Sequence, residues 1–255
     1  MILSGGRQPP EFWESQGANA PRSGGCRMAR VSLAQVQAEI IACRTCPRLV
    51  EWRERMARER RAAFREETYW GRPVPSFGDD QARLLICGLA PAAHGGNRTG
   101  DRSGDWLFAA LHRAGFANQP TSTTRDDGLR LTDCYITACV HCCPPDNHPT
   151  PGERDNCQPF LVRELRLLRR VRCVVCLGGF GWNGFLRALL VLGEAPRPRP
   201  RFGHGAEVVI GARALLGCYH PSQQNTFTGR LTEAMLDDIF RRARQRIGEP
   251  WSPHR

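Results

Sequence analysis

"RLLICGLAPAAHGG", residues 83–96, is an apolar run that ends on Gly-Leu-Ala-Pro and passes into bare glycine backbone. A strand covered on both faces of a sheet shows this near-continuous apolar character, and glycine with proline marks the turn that closes it. Three later runs share the pattern: "CYITACV" (134–140), "RCVVCLGG" (172–179) and "ALLGCYH" (214–220). Helical spacing occupies the intervals, at about 104–115, 151–170, 180–191 and 230–247. Strand alternating with helix predicts an α/β fold, a three-layer α/β/α sandwich around a four-stranded parallel sheet with right-handed crossovers. Ligands of such sheets gather beyond the carboxyl ends of the strands. Four loops follow those ends: the segment from Gly88, "HCCPPDNHPTP" from His141, "GGFG" from Gly178 and "HPSQQNTFTG" from His220.

Upstream, residues 32–63 predict two helices separated at Pro47, the second strongly charged. Residues 117–128 and 192–206 read as surface loops. Residues 1–30, rich in Gly, Pro, Ser and Arg, lack the apolar core of about 7 to 15 residues that a secretory signal needs, and read as a flexible tail before a single domain over 31–255. No apolar run approaches the roughly 20 residues of a membrane span. The expectation is a cytoplasmic monomer with no membrane partner.

Thirty-six Lys and Arg against 25 Asp and Glu give a net charge of +11. A surface so basic gains counterion-release free energy from a phosphate polymer, so nucleic acid is the expected partner.

The 12 cysteines sort into two groups. Cys43 and Cys46 have C-x-x-C spacing at a helix break, and Cys142, Cys143 and Cys157 supply further candidates for one metal centre. Adjacent side chains at a strand end point opposite ways, so only one of Cys142 and Cys143 can serve it. Four thiolates suit zinc or an iron-sulfur cluster, and spacing does not choose. Cys173 and Cys176 also match C-x-x-C, but on a strand they face opposite sides and read as core, as do Cys87, Cys134, Cys139 and Cys218. Cys26 lies in the tail.

"GLAPAAHGGNRTG" and "HPSQQNTFTGRLT", with "CRTCPRL" and "PPDNHPTPGERDNC", resemble the uracil-DNA glycosylase superfamily, most closely its family 5, over about residues 35–245. The resemblance implies a 4Fe-4S cluster on Cys43, Cys46, Cys142 and Cys157, and excision of uracil and related deaminated bases from DNA. It implies base flipping, with a turn-rich loop at the gap: Phe227 as wedge, Ser222 and Asn225 as donors, Arg230 near phosphate. His220 is the expected donor to the departing base. "GLAP" offers only Ala90 where stricter glycosylases carry a polar residue, so Asn97 and Asp101 are candidates to position or activate water, and Asn147 to touch the pocket. His94 is a candidate contact to base or phosphate. Bare backbone at Gly88, Gly95, Gly96 and Gly100 admits a base or phosphate without a Cβ in the way. The competing reading is a non-catalytic DNA lesion-binding protein with a structural metal or iron-sulfur site.

The chain departs from the family pattern after Gly100, where family 5 continues with R-x-F-T-G and this chain passes directly to Asp101. The missing aromatic resembles the residue that stacks on the flipped base, a contact worth about 1 to 3 kcal/mol. The expectation is weakened excision on an intact fold.

Overall fold

The computed structural model describes residues 31–60, 69–92, 102–123 and 127–248, which belong to one compact unit. Ser32 starts it: its hydroxyl accepts from Gln35 N at 3.2 Å and caps α1 (Leu33–Ala42). Pro47 occupies the first turn of α2 (Pro47–Glu59), where its missing N–H costs nothing. The chain then runs β1 (Phe77–Gly78), β2 (Leu84–Gly88), α3 (Arg102–Arg113), β3 (Cys134–Ala138), α4 (Pro151–Leu167), β4 (Cys173–Leu177) and α5 (Gly178–Val191). It ends with β5 (Glu207–Ile210), β6 (Arg213–Cys218), α6 (Gln223–Phe227) and α7 (Glu233–Arg246).

The strands form one sheet in the order β1-β3-β2-β4-β6-β5. The four apolar runs are its parallel centre, β3-β2-β4-β6, as expected. Two antiparallel edges extend it: β1 on β3 and β5 on β6. The sheet is therefore six-stranded, wider than the four strands read from the apolar runs.

Alternate side chains feed two cores. Leu84, Ile86, Cys173, Val175 and Leu216 pack with Leu107 and Leu111 of α3 and with Leu236, Ile239 and Phe240 of α7. Leu85, Cys87, Val174, Cys176 and Leu215 pack on the other face with Leu161 and Leu165 of α4 and Trp182 and Phe185 of α5. Cys173 and Cys176 thus lie in opposite cores, as their spacing on a strand requires. Cys134 and Cys218 share one core, Cys87 and Cys139 the other. Fully buried Glu164 ties α4 to the sheet by accepting from Thr137 Oγ1 at 2.6 Å and Tyr135 OH at 3.4 Å.

From β2 the chain turns into α3 on one face, and from neighbouring β4 into α5 on the other. The carboxyl ends of β2 and β4 therefore flank a topological switch point, the place in an open α/β sheet where a crevice forms. Gly181 lets α5 approach this closely: a Cβ there would lie 2.6 Å from the carbonyl oxygen of Cys87.

Candidate functional site

Strand-end loops converge on that crevice. Gly88 and Leu89 continue the β2 ladder past its end, their carbonyls accepting from Cys139 N and Val140 N at 3.0 Å each. Across the switch point, Gly178 turns with φ +79°, and a Cβ on it would sit 3.5 Å from the Cβ of His220. The half-buried His220 thus stands at the end of β6 against the turn after β4. A Cβ on Gly179 would lie 3.5 Å from the Phe202 ring, which brings the loop before β5 to the same edge.

Residues 220–230 fold more tightly than a plain loop. The His220 carbonyl accepts from Ser222 N and from Asn225 Nδ2, both at 2.8 Å. The Asn225 amide therefore braces the turn that carries His220. Ser222 precedes α6 without a side-chain capping bond, and Phe227 at the end of α6 is 65% exposed. The Arg230 guanidinium lies 4.6 Å from the centre of the Tyr219 ring, in cation–π geometry. The His204 ring lies against the same Tyr219 ring, centroids 5.0 Å apart and tilted by 32°, and its Nδ1 accepts from Tyr219 N at 3.2 Å. Burial holds the His204 ring below the ordinary histidine range. Sequence reasoning passed over Phe202, His204 and Tyr219; an aromatic directly before His220 was the one available signal.

Asn147 sits exposed in the loop after β3, and Asp146 and Asn147 both adopt left-handed backbone, φ 53° and 58°. Asn and Asp bear that conformation more readily than other non-glycine residues, and such strain concentrates at functional loops. The loop is tied down behind Asn147. Arg48 of α2 donates to both carboxylate oxygens of Glu153 (2.8 and 2.7 Å) and to the His148 carbonyl (3.1 Å). Glu153 also accepts from Thr150 N at 2.7 Å, completing the capping box of α4. The Arg48 hydrogen bond leads in holding the Glu153 carboxyl below the ordinary glutamate range.

Cys43, Cys46, Cys142 and Cys157 line one cavity with Thr45, Leu49, Arg53 and Asn156. Its empty space, open mouth included, is about 270 Å³. Cys143 is not among the lining residues. Three of the sulfurs accept N–H groups: Cys142 from Arg53 at 2.9 Å, Cys46 from Asn156 at 3.4 Å and Cys157 from His141 N at 3.5 Å. Thr45 Oγ1 lies 3.4 Å from the fourth, Cys43 Sγ. Burial pushes the Cys157 thiol up to about 12 and raises Cys142 as well, so thiolates here call for a cationic partner. Among the described residues, no three His, Cys, Asp or Glu side chains are gathered as one metal ion requires. Four sulfurs around a cavity, three of them accepting N–H groups, fit a polynuclear cluster better than a single zinc ion. Val140, Leu49, Cys142 and Cys157 pack together, and Ala90 of the first loop packs against them. The cysteine centre and the β2 loop therefore share a wall.

His94, Asn97 and Asp101, with Gly95, Gly96 and Gly100, lie outside the described residues, as does the junction after Gly100. Gly88 ends β2 and Ala90 follows it, Asn147 lies in the loop after β3, and His220, Ser222 and Arg230 flank the short helix α6 that carries Asn225 and Phe227 after β6. Among the described residues, no helix is long and apolar enough to cross a membrane.

Residues 75–244 match the family model for the uracil DNA glycosylase superfamily. The chain is 56% identical over 224 residues to a type-5 uracil-DNA glycosylase of Mycobacterium tuberculosis, covering 85% of this chain and 82% of that protein. Proteins of the same name from Thermus thermophilus (47% identical, 82% of this chain, 95% of the relative) and Pyrobaculum aerophilum (44%, 80% and 88%) are also similar.

Proposed function

The chain belongs to the uracil DNA glycosylase superfamily, in its type-5 branch, and from that premise we propose that it excises uracil and related deaminated bases from DNA by hydrolysing the N-glycosidic bond. The observation that carries this reading is His220 at the end of β6, facing the glycine turn of β4 at the switch point of the sheet.

Reaching the bond requires taking the nucleotide out of the stack, at a cost of roughly a few kcal/mol. Exposed Phe227 is suited to fill the vacated space, and Arg230 with Ser222 to hold the flanking backbone. Asn225, spent on the His220 carbonyl, acts as a brace for the histidine. As the bond breaks, positive character develops on the sugar and negative charge on the base. A His220 donor aimed at the leaving base stabilises the transition state more than the ground state. Asn147, on its strained loop, reaches the pocket beside it. Asn97 and Asp101 position or activate the water and His94 contacts the base or a phosphate, roles that rest on the motif alone. The gap after Gly100 removes an aromatic, and excision is correspondingly weakened.

Cys43, Cys46, Cys142 and Cys157 hold a 4Fe-4S cluster in this reading; it supplies a rigid anchor, because glycosidic hydrolysis moves no electrons. The chain's own contribution is to bind α2 and the loop after β3 to one wall behind Ala90. Residues 31–255 act as one domain, and the free cysteines among the described residues suit a reducing compartment, the cytoplasm. The acting species is a monomer, which sedimentation of the purified chain tests.

The deciding assay measures free base released from uracil-containing duplex by the parent and by His220→Ala. Loss of one such donor costs about 10²- to 10³-fold in turnover. A parent that binds the duplex without releasing base contradicts the enzymatic reading, and a variant as fast as the parent contradicts the role of His220.

A further inference from the structure

Among the described residues, Arg53 is the one charged side chain in the wall of the cysteine cavity, and it is only 4% exposed. A guanidinium keeps its charge under all ordinary conditions, and a buried charge without an opposite one is strongly unfavourable. Its neighbours are unusual. One terminal nitrogen donates to Cys142 Sγ at 2.9 Å, the other to the Cys43 carbonyl at 3.0 Å, and Nε is buried without a partner. Among the described residues no carboxylate pairs with it, although α2 and the preceding turn carry an ion pair nearby between Arg44 and Glu54. The other donors to the sulfurs are neutral, the Asn156 amide and the His141 main chain, and the Cys43 thiol itself donates to Thr45 Oγ1. An uncharged cavity would leave this arginine stranded. A cluster held by four thiolates is anionic and would supply the opposite charge that this guanidinium lacks.

We propose that Arg53 is the built-in counter-charge of the iron-sulfur cluster, a positioning residue that governs how firmly the cluster is retained and at what potential it would be reduced. The proposal rests on the reading of this cavity as a cluster site. Hydrogen bonds to cluster sulfurs and nearby charge are the two levers a protein has on such a potential besides ligand identity and burial, and Arg53 supplies both. Its second bond, to the Cys43 carbonyl, links the ligand pair at the start of α2 to the ligand after β3.

The test purifies the parent chain, Arg53→Gln, Arg53→Lys and Asn156→Ala and reads iron and acid-labile sulfide per chain, bleaching by a ferrous chelator, midpoint potential and thermal unfolding. Arg53→Gln should lose iron to the chelator about 10- to 100-fold faster than the parent, the range typical when an outer partner of a metal ligand is removed. Its potential should shift to more negative values, since a positive charge beside the reduced cluster is gone. Arg53→Lys, which keeps charge without the fork, should fall between, and Asn156→Ala, at an exposed and neutral donor, should bleach faster with a smaller shift in potential. If Arg53→Gln does not fold, Arg53→Lys decides against the parent: an unchanged rate of iron loss at an unchanged potential overturns the proposal. A merely structural arginine predicts altered unfolding at an unchanged potential, which also overturns it. A parent with its full cluster and an Arg53→Gln indistinguishable from it overturns the proposal alone, whereas a parent without iron and sulfide overturns it together with the reading of the cavity.

Discussion

Replacing Gly181 with alanine tests whether the crevice between β2 and β4 is set by direct contact of helix on strand. The added methyl would lie 2.6 Å from the Cys87 carbonyl oxygen and 3.5 Å from the carbonyl carbon of Gly88. A carbon and a carbonyl oxygen ordinarily approach no closer than roughly 3.3 Å, so the two elements must separate by about 0.7 Å. The obstructing atoms are main chain, and no side-chain rotation relieves them. β2 is paired on both sides, which leaves it little freedom to yield. Overpacking of this kind costs about 1 to 3 kcal/mol, while alanine in a helix recovers about 1 kcal/mol relative to glycine. The net loss is up to about 2 kcal/mol, which lowers Tm by as much as roughly 8 °C for a chain of this size. Uracil release should suffer more, because the displaced groups include the Gly178 turn against His220, and a misplacement approaching 1 Å costs on the order of 100-fold. Differential scanning calorimetry and base release from duplex DNA read the two effects. Gly152→Ala is the control, since Gly152 lies in the first turn of α4 with nothing within 4 Å of the new methyl. A Gly181→Ala chain with parental Tm and parental turnover would refute the reasoning.

Phe227→Ala should lower excision from duplex DNA about tenfold or more and leave single-stranded substrate nearly untouched, with stability within about 0.5 kcal/mol because the ring is exposed; equal losses on both substrates would remove the wedge. Glu153 has a depressed carboxyl, so its stabilisation is complete above the ordinary glutamate value of about 4.3 and is lost as pH falls through its lower folded value. Urea titrations should therefore show Glu153→Gln less stable than the parent near neutrality, with the difference shrinking below about pH 4; a gap independent of pH would exclude the Arg48 pairing as its source. Inserting R-x-F-T-G after Gly100 should raise uracil excision, by roughly 5- to 150-fold if the aromatic restores about 1 to 3 kcal/mol of stacking; unchanged turnover would count against that stacking role.

The parallel centre of the sheet was legible because β2, β3, β4 and β6 are apolar almost throughout, which only strands covered on both faces need be. The edges were not. β1 has two exposed residues and β5 is at most half-buried, so neither bears an apolar signature. α6 was read as part of a turn because five residues are too few to show a helical period. Spacing and strand alternation narrowed the candidates to Cys43, Cys46, Cys157 and one of Cys142 and Cys143, and only the family resemblance chose Cys142. Arg48 and Arg53 were lost in a helix whose sequence, "PRLVEWRERMARE", looks solvated all round. Arg53 nonetheless lies one turn beyond Leu49 on the buried face, and a cation in line with two apolar neighbours was the signal to follow. Glu153 and Cys142, the side-chain partners of these arginines, lie 105 and 89 residues along the chain, beyond what a local pattern can report.

The two cysteine pairs, Cys43 with Cys46 and Cys142 with Cys157, reach their common cavity from arms about 100 residues apart in the chain. During synthesis the first pair leaves the ribosome well before β3 and α4 exist, so Cys43 and Cys46 must wait as reduced thiols while most of the sheet is made. If the cavity holds the proposed cluster, closure of that long loop is among the last events of folding, and α2, whose Leu49 and Arg53 line the cavity, is the part a shortage of iron leaves undocked. Limited proteolysis of chains made in iron-starved cells should cut first in this amino-terminal arm, so that the digestion pattern reports how well the cell has supplied the metal.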